Sequence, residues 1–509
     1  MKTKIYKILP LFVLLAIQSY AANKIKFIIT DSMQSKCYDS SGNIIQTPKK
    51  GEKYYGQDAQ YQGIKPSYTN NGDGTITDNN TGLVWQKTPP KNKMFYDQAK
   101  KYVKNLKLAG YTDWRLPTIK ESFSLAMLDG KLDPKNIKNA KPYINSTYFD
   151  FAYDKHKPYT GSYWTSTMCK MPVNNTSSNY EKMGKNYGFN WADGHMKSYA
   201  DGYDMYGKKS MHSIPAGVRA VRGKEGVYGV NDFKDNNDGT IIDKATGLMW
   251  SQQDSGAVND DATIRHSTDK NFGLGRTWTE TLAWVEKMNK ANYLGHNDWR
   301  LPDIKELQSI VQYNKKVIPA INTKYFHLSC PDCFVWSSTT CGDFPEMADY
   351  IAFGRGYGID LMADSEKQNK NNRPPPIEND QEMEMPPPPP ENNDGIGILP
   401  PPEHQNSKNK TTKNITVKDF VDVHGPGCMR ADYKDTQSKT TPIFSNQKTI
   451  TVLQTPLLSK TFWEKLNHKK YPYPFDGKNK ITEFDLSNSE NAADYIVIYN
   501  YALLVRDIK

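Results

Sequence analysis

One phrase occurs twice in this chain. Residues 110–121 are GYTDWRLPTIKE, and residues 295–306 are GHNDWRLPDIKE, 185 positions further on. The shared Asp-Trp-Arg-Leu-Pro and Ile-Lys-Glu have the same order and spacing, which chance does not explain. An internal repeat means a repeated structural unit, so we expect two similar domains in tandem.

The repeat extends beyond this phrase. NGDGTITDNNTGLVWQ at 71–86 matches NNDGTIIDKATGLMWS at 236–251. Each segment predicts a β-hairpin with a turn at Asp-Gly and a second strand that ends at Trp85 or Trp250. The acidic turns do not predict a calcium site. An EF-hand needs an acid five positions before its glycine, and Thr69 and Lys234 stand there instead.

Helices are predicted on both sides of the repeated phrase. Thr277 and Glu280 have the spacing of a capping box, at the start of a helix with a periodic apolar face. After the phrase, PTIKESFSLAM and PDIKELQSIVQY predict a second helix in each copy. Pro117 and Pro302 suit its first turn, where a missing N–H costs nothing.

The phrase itself is predicted to be structural. In an extended Asp-Trp-Arg the acid and the base point to one side and the tryptophan to the other. The charged pair could hold neighbouring strands or act in catalysis, but its repetition beside a core tryptophan favours architecture. After the phrase, each copy has a strand with a further tryptophan, and its last strand carries an arginine. The predicted structural residues are Trp85, Asp113, Trp114, Arg115, Trp164, Arg222, Trp250, Asp298, Trp299, Arg300, Trp336 and Arg506.

The first 21 residues predict a secretory signal. Lys2, Lys4 and Lys7 precede an apolar run at 8–17 that is too short to span a bilayer comfortably. Removal of these three lysines lowers the net charge from +10 to +7. This mild charge permits attraction to acidic polysaccharides. Nucleic acid is disfavoured because no motif for reading it is present. We expect a secreted, periplasmic or cell-surface protein with no membrane span after cleavage.

Export makes disulfide bonds possible. Cys169 and Cys341 stand at the same distance after Trp164 and Trp336, and they are expected to form disulfides rather than reactive thiols. The CPDC sequence at 330–333 favours a local staple over a metal site. The candidate disulfide cysteines are Cys37, Cys169, Cys330, Cys333, Cys341 and Cys428. No metal ion, cofactor or catalytic residue is predicted.

The domain boundaries follow from the repeat. We place a leader segment at 22–65, the first repeat at 66–224 and the second repeat at 225–509. The second repeat contains a polar, proline-rich insertion at about 365–415. Such a segment cannot bury a core, so it is expected to be disordered.

These motifs together resemble the bacterial Lcl C-terminal domain family. The resemblance rests on NGDGT.TD..TGL.WQ, DWRLP.IKE, W.SST and a terminal Val-Arg strand, and it includes the segment around Cys37 and the loop VDVHGPGCMRAD at 421–432. It implies an α+β fold with two tandem C-type-lectin-like domains, each a twisted antiparallel sheet with two helices and long loops. It also implies export, and the namesake belongs to a bacterial adhesin whose related domain binds sulfated glycans.

Three functions are compatible with these features. The first is a non-enzymatic adhesin that recognises glycans or extracellular matrix through a mildly basic surface. The second is a structural component of a bacterial surface or pilus-type assembly, with a surface protein as partner. The third is an oxidase similar to the formylglycine-generating enzymes. The Glu-Pro-Asn and Trp-Asn-Asp sequences of calcium-dependent lectins are absent, so sugar binding would use another geometry.

Overall fold

The computed structural model describes twelve segments of the chain. The predicted signal at 1–21, the CPDC sequence and the proline-rich insertion lie outside them. No helix in these segments is long and apolar enough to cross a membrane. The described residues are 25–132, 137–155, 157–170, 183–204, 209–213, 215–258, 275–329, 334–360, 420–422, 424–435, 492–494 and 500–508.

Each repeat contains a four-stranded antiparallel sheet built on the predicted hairpin. Ile76 lies opposite Trp85 and Ile241 opposite Trp250, which confirms both hairpins. The strand orders are β10-β5-β4-β3 and β11-β12-β13-β20. The strands of the first repeat are β3 (Tyr68–Asn70), β4 (Thr75–Asp78), β5 (Val84–Gln86) and β10 (Val221–Arg222). Those of the second are β11 (Phe233–Asp235), β12 (Thr240–Asp243), β13 (Leu248–Ser251) and β20 (Val505–Asp507).

The predicted last strands are shorter than expected. In the described residues, the strand that ends at Arg222 pairs with its hairpin sheet over two residues, and the strand that contains Arg506 does so over three. The reason is that the chain changes sheets here. Gly217 pairs with Tyr163 and Tyr501 with Val335, both in a larger sheet that joins the repeats, before the chain reaches the hairpin.

The helices α1 (Tyr96–Asn105) and α3 (Trp278–Lys290) pack beside the repeated phrase. The predicted capping box of α3 is confirmed. Thr277 Oγ1 accepts from the Glu280 amide at 3.2 Å, and the Glu280 carboxylate accepts from the Thr277 amide at 2.9 Å. Its apolar face is buried, so this helix is held by tertiary packing as well as by its cap.

The helices after the phrase begin later than predicted. They are α2 (Ile119–Ser124) and α4 (Ile304–Ser309), so Pro117 and Pro302 precede the N-cap and do not occupy the first turn. The N-cap is Thr118 or Asp303, whose side chain accepts from the amide three residues on, at 3.2 Å or 2.8 Å. A second capping box in each repeat therefore fixes the helix start.

A seven-stranded antiparallel sheet, which we call the central sheet, joins the two repeats. Its order is β14-β15-β18-β8-β7-β6, with β9 beside β8. The repeats meet where Met429 pairs with Met196, and one apolar core extends across this junction. The strands are β6 (Ser162–Met168), β7 (Met183–Asn190), β8 (Met196–Asp204), β9 (Lys209–Ser213), β14 (Phe334–Thr340), β15 (Met347–Ala352) and β18 (Cys428–Tyr433). The described chain is therefore mostly sheet with few helices.

Matching lysines of the repeated phrase connect the repeats. Lys120 Nζ donates to the carbonyl of Ser309, the last residue of α4, at 2.5 Å. Lys305 Nζ donates to the carbonyl of Ser124, the last residue of α2, at 3.3 Å. Each lysine thus caps the helix of the other repeat. These contacts between the repeats are therefore reciprocal.

The leader and the linker between the repeats, residues 223–232, occupy matching positions. Lys305 also binds Thr30 Oγ1 at 2.9 Å, and Lys120 binds the Gly229 carbonyl at 2.8 Å. The leader differs by an excursion at 32–63, which packs on the second repeat and has no counterpart in the linker. It contains β1 (Cys37–Tyr38), β2 (Ile44–Ile45) and a 3-10 helix at Asp58–Gln60. A separate small sheet has the order β17-β16-β19, from Phe420–Asp422, Tyr357–Asp360 and Ala492–Asp494.

Candidate binding groove between the repeats

Asp113 and Asp298 each bind the arginine that ends their repeat. Asp113 Oδ1 accepts from Arg222 Nε at 2.8 Å, and Asp298 Oδ1 accepts from Arg506 Nε at 2.6 Å. A second hydrogen bond of 3.1 Å joins the other carboxylate oxygen to Nη2 in both pairs. The Arg222 guanidinium lowers the pKa of the Asp113 carboxyl through this contact. These bidentate pairs hold the phrase against the last strand.

Arg115 and Arg300 bind helix glutamates rather than the acids of their own Asp-Trp-Arg. The two Arg115–Glu121 hydrogen bonds are both 2.7 Å. Those of Arg300 with Glu306 are 2.5 and 2.6 Å. The same glutamates complete the capping boxes of α2 and α4. The acids and arginines of the phrase are therefore engaged in internal ion pairs, an arrangement that suits an architectural role.

The matched tryptophans lie in the core. None has more than 4% of its surface exposed. Trp164 Nε1 donates to the Met94 carbonyl at 2.7 Å and Trp336 Nε1 to the Arg276 carbonyl at 2.9 Å. These rings fill the interior and cannot stack on a ligand. The six are Trp85, Trp114, Trp164, Trp250, Trp299 and Trp336.

The expected disulfides do not form among the described cysteines. Cys37, Cys169, Cys341 and Cys428 make no S–S bond, and 330–333 lie outside the described residues. Cys169 and Cys341 follow β6 and β14, the opposite edges of the central sheet, so matching positions keep them apart. Burial raises the pKa of the Cys37 and Cys341 thiols. This disfavours the thiolate that cysteine chemistry requires.

No metal centre is evident in the part of the chain that the structure describes, where no three His, Cys, Asp or Glu side chains are arranged to hold an ion. The acidic hairpin turns are closed internally. The Thr75 amide donates to Asp73 Oδ1 at 3.0 Å, and the Thr240 amide donates to Asp238 Oδ1 at 2.9 Å. Turn chemistry accounts for these acids.

A groove lies on each side of the contact between the repeats. The groove beside β14 of the second repeat is occupied by the leader, and we call it the filled groove. Gln34 Nε2 donates to the Leu128 carbonyl at 3.1 Å and also to the Thr340 carbonyl, while Gln34 Oε1 accepts from the Thr340 amide at 3.1 Å. The leader thus bridges the two repeats along this groove.

Asp58 of the leader also enters the filled groove. Its Oδ2 accepts from Thr339 Oγ1 at 2.6 Å, and its Oδ1 accepts from Ser32 Oγ at 2.9 Å. Burial raises the pKa of Asp58 to about 6. The hydroxyl of Thr339 is therefore satisfied by a carboxyl group that the chain itself supplies.

The groove beside β6 of the first repeat is a cavity of about 500 Å³, and we call it the open groove. Its walls come from residues within 118–120, 166–170, 225–233 and 311–322. Carboxamides and hydroxyls dominate the polar lining, and three aromatic rings border it. The carboxamides are Asn231, Gln312, Asn314 and Asn322, the short hydroxyls Thr118, Ser166 and Thr167, and the rings Tyr228, Phe233 and Tyr313.

The charge of the open groove is slightly positive. Lys120, Lys170 and Glu225 line it. The Lys120 ammonium already donates to two carbonyls, and burial lowers its pKa to about 7. Lys170 is exposed, so its charge is available to a ligand.

A second cavity of about 630 Å³ lies between the leader and the second repeat. The charged residues that line it are one arginine, Arg300, and five acids. The acids are Asp31, Asp58, Asp303, Glu306 and Asp507. An anionic ligand would meet like charges there, whereas the open groove presents an exposed ammonium. The open groove is therefore the better candidate for an acidic ligand.

The residues that line this groove or connect the repeats are not among those predicted from the sequence. Lys120 and Lys305 stand inside the repeated phrase, so their repetition was a visible signal for a shared role. Thr167 is also matched, by Thr339, because each stands three residues after the strand tryptophan and two residues before the cysteine of its copy. The carboxamides had no such signal, because they come from segments that differ between the repeats.

Comparison with known proteins gives one match. A family model described as the Lcl C-terminal domain matches residues 74–222 and 239–373, together more than half of the chain. No curated protein and no solved structure matches the chain. Both matched regions begin in a hairpin and include the repeated phrase and its helices. The chain is a member of the Lcl C-terminal domain family and carries two copies of the domain.

Proposed function

We propose that this protein is an exported, non-enzymatic binding protein of adhesin type that recognises glycans, and that the open groove is its ligand site. The lining of the groove carries this proposal. Carboxamides and hydroxyls donate and accept hydrogen bonds, as sugar hydroxyls do. Tyr228 and Phe233 add apolar ring surface for the C–H face of a sugar. A cavity of about 500 Å³ is in the range of small-ligand sites.

The proposal includes a C-type-lectin-like fold for each repeat. Small antiparallel sheets, two helices and long loops in each repeat support it. Binding without calcium is also part of the proposal, because amides and hydroxyls rather than a set of carboxylates line the groove. The signal sequence at 1–21 supports export to the periplasm, the cell surface or the medium.

The test is a glycan array probed with the mature chain, residues 22–509, at low and physiological salt and with or without calcium. We expect binding that weakens as salt rises and does not depend on calcium. Asn314→Ala should weaken binding about tenfold, since one good hydrogen bond is worth roughly 1.4 kcal/mol. Asn105→Ala, at an exposed asparagine at the end of α1, is the matched control and should bind normally.

A second function has one observation in its favour. The filled groove holds a polypeptide, the leader of this chain, so the open groove could hold a segment of another protein. That arrangement suits a component of a surface or pilus-type assembly. If no glycan binds the mature chain and a pull-down captures a surface protein that Asn314→Ala releases, this second function replaces the first.

A further inference from the structure

The two grooves have matching walls and different contents. Thr167 and Thr339 stand three residues after Trp164 and Trp336, at the same place on β6 and β14. In the filled groove a side chain of the leader covers this threonine. In the open groove the matching threonine lines a cavity. The filled groove therefore shows which chemical group suits this position.

The hydroxyl of this threonine requires an acceptor. Thr339 Oγ1 accepts a hydrogen bond from the Ile304 amide at 3.0 Å and donates one to Asp58 Oδ2 at 2.6 Å. Thr167 Oγ1 accepts from the Ile119 amide at 2.9 Å. Among the described residues, no group accepts a hydrogen bond from the Thr167 hydroxyl. Because the amide already uses an oxygen lone pair, the hydroxyl is set to donate into the open groove.

The surroundings of Thr167 suit an anionic acceptor better than those of Thr339. Asp58 lies near Asp303 in the second repeat. Burial, Glu306 and then Asp58 raise the pKa of Asp303 well above its usual range. The first repeat has the uncharged Thr118 in place of Asp303. A carboxylate in the open groove would thus avoid the like charge that Asp58 meets, and Lys170 lines the same groove.

We propose that Thr167 binds a carboxylate of the ligand, so that the glycans recognised are those with carboxylated sugars, such as uronic or sialic acids. This inference rests on the proposed glycan-binding function and specifies the chemical class of the ligand. The carboxylate takes the place that Asp58 has in the filled groove and accepts a hydrogen bond from the Thr167 hydroxyl. The amides and rings of the groove contact the rest of the sugar.

The experiment compares carboxylated glycans with their carboxyl-reduced forms on the mature chain. The probes are sialyllactose and an oligogalacturonate, each before and after reduction of the carboxyl group to an alcohol, and affinity is measured by calorimetry. We expect reduction to weaken binding of at least one probe tenfold or more. Thr167→Val should bind native and reduced forms about equally, and Thr167→Ser should keep the preference. Lys170→Gln should reduce the preference several-fold, and Lys101→Gln on α1 is its exposed control.

Two results would overturn the inference while leaving the proposed function in place. One is equal binding of native and reduced probes by the unaltered chain. The other is a folded Thr167→Val variant that keeps its full preference for the carboxylate. If Thr167→Val does not fold, an unchanged preference in Lys170→Gln overturns the inference instead. If no probe and no array glycan binds, the proposed function itself fails.

Discussion

The aspartate, arginine and lysine of the repeated phrase each have a separate structural role. The aspartate binds the last strand of its repeat, the arginine binds the helix that follows, and the lysine reaches the other repeat. The tryptophan between the aspartate and the arginine is buried. Four parts of the structure therefore depend on this short phrase: the last strand, the following helix, the other repeat and the core.

Replacement of the buried tryptophan should be costly in both repeats. Trp114→Ala and Trp299→Ala each leave a cavity in a core cluster. We expect the free energy of unfolding to fall by about 3–5 kcal/mol in each variant. Urea denaturation followed by circular dichroism measures this loss. Unchanged stability together with lost glycan binding would mean that these rings serve the ligand and not the fold.

The two matching ion pairs should differ in strength. The Asp113 side chain is 58% exposed beside Arg222, whereas Asp298 is 34% exposed beside an Arg506 that is only 11% exposed. Asp113→Ala should therefore cost less than about 1 kcal/mol. Asp298→Ala should cost about 1–3 kcal/mol, because it leaves a half-buried guanidinium without its carboxylate. Equal losses in urea denaturation would show that exposure does not govern these pairs.

The short helices and the grooves depend on contacts between the repeats. The ends of α2 and α4 receive lysines from the opposite repeat, and the leader lies along one of the two grooves. A helix of six residues is too short to be stable in isolation. Its persistence here reflects its capping box and the donors that reach its last carbonyls.

Loss of one of these lysines should loosen the leader. Lys305→Met keeps the apolar stem but removes the donor to Thr30 Oγ1 and to the Asp31 and Ser124 carbonyls. We expect a loss of about 1–3 kcal/mol, since buried acceptors lose their partner. Hydrogen exchange of residues 27–34 should also quicken. Unaltered exchange in this segment would contradict a role for Lys305 in holding the leader.

Local features were predictable from the sequence, and contacts between the repeats were not. The hairpins and the α3 capping box depend on residues a few positions apart, so their pattern is visible in one chain. The proline pattern predicts that α2 begins at Pro117, but Thr118 is the N-cap and the helix begins at Ile119. The open groove could not be predicted. It exists because the linker lacks the excursion that the leader has at 32–63, and this matters only once the repeats face each other.

The two repeats form one body over the described residues. They share a sheet and a core, and buried polar contacts cross the junction. Tyr143 of the first repeat donates its hydroxyl proton to Asp343 Oδ1 of the second at 2.7 Å, and the Leu132 amide donates to the same oxygen at 2.5 Å. Such contacts couple the stability of one repeat to that of the other.

Asp343 should make stability depend on pH. Burial raises its pKa to about 7, above an unfolded value of about 3.9. For a raised pKa the stabilising contribution is present below the unfolded value and is lost as pH rises through the folded value. Unfolding free energy should therefore fall from pH 5 to pH 8. Asp343→Asn, which keeps the acceptor oxygen, should show a smaller fall in thermal melts. An identical pH profile in the variant would contradict this assignment.

Glycan binding in the open groove is the function we propose for this protein. The most direct measurement is hydrogen–deuterium exchange of the mature chain with and without a saturating glycan ligand. We expect the protection on binding to concentrate in 118–120, 166–170 and 311–314, which line the groove. Protection confined to other surfaces, such as the acidic cavity beside the leader, would contradict it.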